Sequence, residues 1–263
     1  MNVNMYEIAM KSVIGTREEQ QDSAFYKVDE QGVIAVVCDG MGGLSGGAIA
    51  STATVEMLKK LYENKDIDEA LPEFLLKSVD ILDEHIFHLK NGDGKKLDAG
   101  TTLVAAVIEK GNLHWLSVGD SRLYILRGSE FVQVTRDHNY FAKLEQMIKE
   151  KEISPMQYRT EAIKGEALTS FIGVGGIELM DINNSPFQLL HGDIILLSSD
   201  GLYKALSNEE IVRHLQLPNI EESVSTLISK ASEASKKFQD NTTCIVIKYI
   251  SQGAIANEVN KMQ

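Results

Sequence analysis

Cysteine is scarce: only Cys38 and Cys244 occur in 263 residues, and both lie inside apolar, strand-like runs. Two such residues read as small buried hydrophobes in a reducing compartment, not as a disulfide framework. Whether their strands adjoin is open at this stage. Basic charge is also short. A net charge of -12 leaves little basic surface to displace phosphate counterions, which argues against a nucleic-acid binder. Apolar runs fall far short of the ~20 residues that cross a bilayer. The stretch Met1–Met10 carries Asn and Glu where a signal peptide would be basic and then apolar. No repeat or low-complexity linker offers a domain boundary. These absences predict a cytoplasmic chain without nucleic-acid or membrane partners, taken as a monomer, with residues 1–250 as one domain and 251–263 as a tail.

What is present is a series of short strand-like runs rich in Val, Ile and Leu and bounded by Gly, Asp or Asn. They cover Tyr6–Ser12, Ser23–Val28, Val33–Cys38, Thr102–Glu109, Leu113–Val118, Arg122–Leu126, Phe131–Val134, Asp193–Ser198 and Thr243–Ile250. Gly111-Asn112 and Arg127-Gly128-Ser129 read as tight antiparallel connections. The close spacing from Thr102 to Val134 predicts a meander, since parallel strands need crossovers of about a dozen residues or more. Helical spacing marks Gly47–Tyr62, Leu71–Leu89 and Ile220–Phe238, and Ser207 to Glu210 reads as a capping box opening a helix through Leu215. Asn139–Ala167 is more polar and predicts an insertion or flap, spanning about 139–170.

Four aspartates stand beside predicted strand ends or turns. Asp39 closes Val33–Cys38 and Asp200 closes Ile194–Ser199, each followed by glycine; Asp240 precedes Thr243–Ile250, and Asp22 precedes Ser23. Any one Asp-Gly pair is more often a turn than a ligand. Several carboxylates on rigid strand ends, with glycine admitting backbone carbonyls, suit hard cations that prefer oxygen. Gathering them without a counter-cation would be strongly unfavourable. Other features have plainer readings. The glycines from Gly40 to Gly47 lack a nucleotide-loop spacing, Cys38 has no Cys-x5-Arg context, and His85 and His88 have no further ligand pair. His138 with Asp137, Asp193, and the Gly173–Gly176 turn read as structural.

The ordered blocks Arg17-Glu18-Glu19-Gln20-Gln21-Asp22, Cys38-Asp39-Gly40-Met41-Gly42-Gly43, Gly100-Thr101-Thr102, Gly119-Asp120-Ser121-Arg122, Arg136-Asp137-His138, Ser199-Asp200-Gly201 and Asp240-Asn241-Thr242-Thr243 resemble the type 2C metal-dependent Ser/Thr protein phosphatases, in their compact bacterial form. The resemblance runs from the N-terminal strand to Tyr249. It implies an α+β fold, a central antiparallel β-sandwich flanked by helix pairs in α-β-β-α layers. It further implies that Asp39 bridges two Mn2+ or Mg2+ ions, with the Gly40 carbonyl on one of them and Asp200 and Asp240 on the other. Asp22 would act through metal-bound water, Asp120 would help hold a third, weaker ion, and Arg17 would grip the substrate phosphate. The implied reaction is direct attack of metal-activated water on phosphoserine or phosphothreonine, with a Ser/Thr kinase and its substrates as partners. Met41 stands where eukaryotic members have a proton-donating histidine, which leaves the general acid open. Gln20-Gln21 departs from the common Asn-Glu or Asn-Gln and predicts altered hydrogen bonding around Asp22. An inactive phosphoprotein-binding relative and a small-molecule phosphatase are the competing readings.

Overall fold

A computed structural model describes residues 5–43, 45–234 and 237–251. In chain order it contains β1 (Met5–Val13), β2 (Asp22–Val28), β3 (Gly32–Gly42), α1 (Gly46–Glu63), α2 (Leu71–Phe87), β4 (Ala99–Thr101), β5 (Leu103–Glu109), β6 (Asn112–Val118), β7 (Arg122–Arg127) and β8 (Glu130–Gln133). There follow α3 (Tyr140–Lys149), α4 (Pro155–Glu161), a 3-10 turn (Ala162–Lys164), β9 (Asp181–Ile182), β10 (Phe187–Gln188), β11 (Ile194–Ser198), α5 (Asp200–Tyr203), α6 (Asn208–Leu215), α7 (Ile220–Ala234) and β12 (Thr242–Ile250).

Two antiparallel sheets stack face to face. One runs β1-β12-β11-β7-β8; the other runs β10-β6-β5-β3-β2, with β4 added to β3 and β9 to β6. The apolar runs are continuous because both faces of the central strands are buried. On β3, Val33, Ala35 and Val37 point into the sandwich with Leu123, Ile195, Leu197, Ile245 and Ile247. The alternate residues Ile34, Val36 and Cys38 meet α1 and α2 through Leu58, Leu75, Val79 and Leu82. On the far side Leu196, Cys244 and Val246 pack under α6 and α7 through Ile211, Val224, Leu227 and Ile228. The result is the expected α-β-β-α sandwich. Cys38 and Cys244 are buried and free, and they face opposite helical layers, so they cannot pair.

Several local expectations change. The Thr102–Val134 run is not one meander: β5 pairs β6 in one sheet, while β7 pairs β8 in the other. The chain changes sheets at Gly119, whose φ of +100° suits glycine and where a Cβ would stand 2.7 Å from Thr102 Cγ2. Thr102 itself falls between β4 and β5. The strand expected to end at Cys38 continues through Gly42 by pairing with β4 beyond Asp39. The Ile220 helix is described to Ala234, and residues 235–236 lie outside the described residues, as do 252–263 of the expected tail. The capping box at Ser207 and Glu210 is formed. The polar 139–167 segment folds as α3, α4 and the 3-10 turn, closed at its base where Tyr140 and Phe141 N–H groups donate to the carbonyls of Ala167 and Gly165.

Candidate metal centre

The aspartates converge at one end of the sandwich because the strands carrying them do. Asp39 sits where β3 passes from β5 to β4. Its N–H donates to Thr102 Oγ1 (2.9 Å), and its carbonyl accepts from Thr102 N–H (2.8 Å) and the Thr101 hydroxyl (2.9 Å). Asp22 is the direct cross-strand partner of Asp39. Like charges set opposite each other in a ladder are destabilising, so this pairing itself calls for a cation. Gly40 is locked by close approach: its N–H donates to the Gln21 carbonyl (3.0 Å), and a Cβ would lie 2.1 Å from the Gly47 carbonyl oxygen. Asp200 opens α5 behind Ser199, and Asp240 lies just ahead of β12.

These groups line an open cavity of about 980 Å³. Asp39, Gly40, Asp200, Asp240 and Arg17 all face it, together with Met41, Glu18, Glu19, Ser45 and Asn241. Arg17 reaches over to Asp240, Nη2 to Oδ2, at 2.6 Å. Asp22 lies behind the cavity wall, buried, with its Oδ2 accepting from the Ser199 hydroxyl at 2.7 Å. Asp120 is buried to the side at the β6–β7 crossing.

Electrostatics mark the cluster as short of positive charge. Burial, together with the fields of Asp22 and Asp200, pushes the Asp39 carboxyl well above the usual carboxylate range. Burial likewise pushes Asp22 up to about 7 and Asp120 up to about 6. Asp22 Oδ1 and Asp200 Oδ1 are buried without a hydrogen-bond partner, which is costly unless something else answers them. An all-oxygen donor set with orphaned carboxylate atoms fits hard divalent ions. Among the described residues no group of three or more His, Cys, Asp or Glu side chains stands in a metal-holding array. Two of the carboxylates are engaged by cations of the chain itself, Asp240 by Arg17 and Asp200 by Lys204 (2.8 Å).

A model of the family described as Protein phosphatase 2C matches residues 11–240. The chain belongs to the protein phosphatase 2C family. Its class is that of a serine/threonine phosphatase, as the ordered motifs implied, and divalent-metal dependence goes with the family. The serine/threonine phosphatase stp of Listeria welshimeri is 29% identical over 234 residues, covering 88% of this chain and 89% of that protein. Among solved structures, the S. agalactiae serine/threonine phosphatase superposes with a TM-score of 0.80 at 27% identity, covering 93% of this chain and 99% of that one. The catalytic domain of the phosphatase PstP, solved with two manganese ions, gives 0.76 at 26% identity, with 95% and 100% covered.

Around the centre of this phosphatase 2C chain stand further residues that hold it together. Asn241 gathers the N-terminal loop: its Oδ1 accepts from Gln21 N–H (2.8 Å), and its Nδ2 donates to the carbonyls of Ile14 (2.8 Å) and Glu19 (3.1 Å). Ser199 ties the two sheets, donating to Asp22 while accepting from Thr243 N–H at 3.0 Å. Gln20 Oε1 accepts from Asp22 N–H at 3.1 Å, which is how the departure at Gln20-Gln21 is accommodated. Lys204 is the least expected. The only signal for it was its position four residues after Asp200, visible once α5 is known to be a helix.

Proposed function

We propose that this protein is a divalent-metal-dependent phosphatase acting on phosphoserine and phosphothreonine in proteins, with Asp39 shared between two Mn2+ or Mg2+ ions. Asp39 would bridge them, the Gly40 carbonyl would serve one, and Asp200 and Asp240 the other, with Asp22 acting from behind through water. When bound, such ions lower the pKa of water toward neutrality and offset charge on a phosphate. The observation that carries this reading is the gathering of Asp39, Asp200 and Asp240 on one cavity, with Asp22 set against Asp39 from behind its wall and with buried carboxylate oxygens left orphaned.

The chain's own residues supply the remaining work. Thr101 and Thr102 hold the Asp39 backbone, so its carboxylate keeps one direction. Asn241 and Gln21 fix the loop that carries Arg17, whose exposed guanidinium has a fork suited to two phosphate oxygens. On ion binding Asp240 would turn to the metal and free Arg17 for the substrate. Met41 faces the cavity without a transferable proton, so protonation of the leaving oxygen falls to water. The open cavity admits a side chain presented on a protein surface. The chain is taken to act as a monomer, with residues 1–250 as one catalytic domain because the three apolar clusters share the two sheets. No helix among the described residues is long and apolar enough to cross a membrane. A cytoplasmic setting is supported by the two unpaired buried cysteines, and a Ser/Thr kinase would supply the phosphoproteins this reaction consumes.

The test is hydrolysis of phosphothreonine peptides with Mn2+, with and without chelator, for the wild type, Asp39→Asn and Asp200→Asn. Altering even an outer partner of a metal site costs about 10–100-fold, so each substitution is expected to lower kcat by at least a hundredfold. Metal-independent turnover, or full activity in both variants, overturns the mechanism. Retained phosphopeptide binding without turnover in the wild type would mark a binding module, and a preference for small phosphate esters would mark a small-molecule enzyme.

A further inference from the structure

The second oxygen of Asp200 is already spoken for. Lys204 Nζ lies 2.8 Å from Asp200 Oδ2, and Asp200 Oδ1 is the buried oxygen left without a partner. The two oxygens of one carboxylate thus differ: Oδ2 meets an ammonium, while Oδ1 is buried and unanswered in a residue that lines the cavity with Asp39 and Asp240. That ammonium also contacts Glu166, Nζ to Oε2, at 3.1 Å, and its charge acts favourably on Asp120. Asp120 is buried and does not line the cavity. Its backbone is held by the chain: Tyr203, the residue before Lys204, donates its hydroxyl to the Asp120 carbonyl at 3.0 Å. The Arg122 guanidinium lies 3.5 Å from the Tyr203 ring centre, which holds the tyrosine in place.

We infer that Lys204 is a built-in cation that takes the place of a third metal ion between Asp200 and Asp120, so that the centre of this chain takes up two ions and Asp120 is no metal ligand. This rests on the two-ion reading above and departs from the family resemblance only at the third position. The physical grounds are competition and repulsion. A lysine four residues after Asp200, at the C-cap of the short α5, is tethered beside it, so its effective concentration there is high without any ligand in solution. A dication brought to Asp200 would meet a tethered positive charge already on that carboxylate, whose own side chain is only 16% exposed, so that salt screens the repulsion less than at the open surface. Glu166 adds a third carboxylate to the ammonium, and it comes from the segment just after the 3-10 turn. Lys204 therefore joins the helical excursion of residues 139–167 to the metal centre, through the same atom that would keep a third ion out.

The experiment is Mn2+ binding to the full chain, followed by electron paramagnetic resonance of free Mn2+ up to millimolar metal. The wild type, Asp120→Asn, Lys204→Met, Lys204→Gln and the double variant Lys204→Met with Asp120→Asn are compared. The expected result is two ions per chain in the wild type and the same two in Asp120→Asn. A third, weaker ion should appear in Lys204→Met or Lys204→Gln and vanish in the double variant. A third ion in the wild type that Asp120→Asn removes overturns the inference, and so do lysine variants that fold by circular dichroism yet still bind only two. The comparison of wild type with Asp120→Asn stands even where a lysine variant fails to fold. If the wild type binds no Mn2+ at all, it is the two-ion reading that fails, and the inference falls with it.

Discussion

Arg17 shows how much one side chain is asked to do. Its guanidinium is largely exposed, yet it is held at 2.6 Å by Asp240, and that hydrogen bond raises its already high pKa. With ions present, Asp240 would be drawn to the metal and the guanidinium released toward phosphate oxygens. Lysine would keep the charge and lose the two-pronged contact. Hydrogen bonds to charged groups contribute about 1.5–3 kcal/mol, which places Arg17→Lys at roughly a tenfold to hundredfold loss in kcat/KM on phosphothreonine peptides. The loss should fall mainly on KM, read from steady-state kinetics at saturating Mn2+. An unchanged kcat/KM would take the phosphate-binding role away from Arg17.

At the scale of elements, the loop that returns the chain from the helical excursion is fastened by one carboxylate. Asp83, buried on α2, accepts from the N–H groups of Gly173 (2.6 Å), Gly175 (3.2 Å) and Gly176 (2.6 Å). The neighbouring Ile172 exchanges two backbone hydrogen bonds with Thr101, whose hydroxyl supports the Asp39 carbonyl. A fastening far from the cavity therefore steadies the strand that carries the central aspartate. Asp83→Ala would strand three donors, and at about 1–3 kcal/mol for each buried group left unsatisfied the expected loss is about 3 kcal/mol by urea unfolding. The amides of residues 173–176 should lose protection in hydrogen exchange more than those of β11, and equal loss in both places would argue against a local fastening. The Gly173–Gly176 turn was expected from its glycines. Its partner was not, because a lone Asp on an amphipathic helix gives no local sign of the backbone donors 90 or more residues away.

Over the whole molecule, the acidic centre couples stability to pH and to metal. Asp22 has its folded pKa raised to about 7 from 3.8, with Asp39 and Asp120 raised as well. Between those values the folded metal-free protein holds more protons than the unfolded chain, so its stability falls as pH rises. The contribution is fully present below 3.8 and is lost as pH passes through about 7. Divalent ions reverse the trend, because their ligands bind deprotonated. At a hundredfold excess over Kd one ion adds about 2.7 kcal/mol, which for a chain of this size raises Tm by roughly 5–10 °C. Thermal melts with Mn2+ and with chelator at about pH 5.5 and pH 8 should show a larger metal shift at pH 8. A shift that shrinks as pH rises would count against carboxylate ligation.

The sequence by itself determined the long buried strands and most of the helices that cover them, and it set Asp22, Asp39, Asp200 and Asp240 beside strand ends or turns. Continuous apolar runs bounded by Gly and Asp announced strands buried on both faces, and seven short blocks in one order announced the family. Asp22, Asp39, Asp200 and Asp240 were visible because each sits next to a strand end or turn that local chemistry marks. The tertiary structure decided which sheet each strand joins, and so broke the expected meander at Gly119. Period and turn residues report how a segment is buried but not against which partner. It also decided which charges answer one another. Arg17 meets Asp240 across 223 residues of chain and Ser199 meets Asp22 across 177, contacts that exist only once the sandwich brings four strand ends together. Lys204 carries the same lesson at short range: a lysine that would read as surface charge becomes part of the centre because α5 turns it onto Asp200.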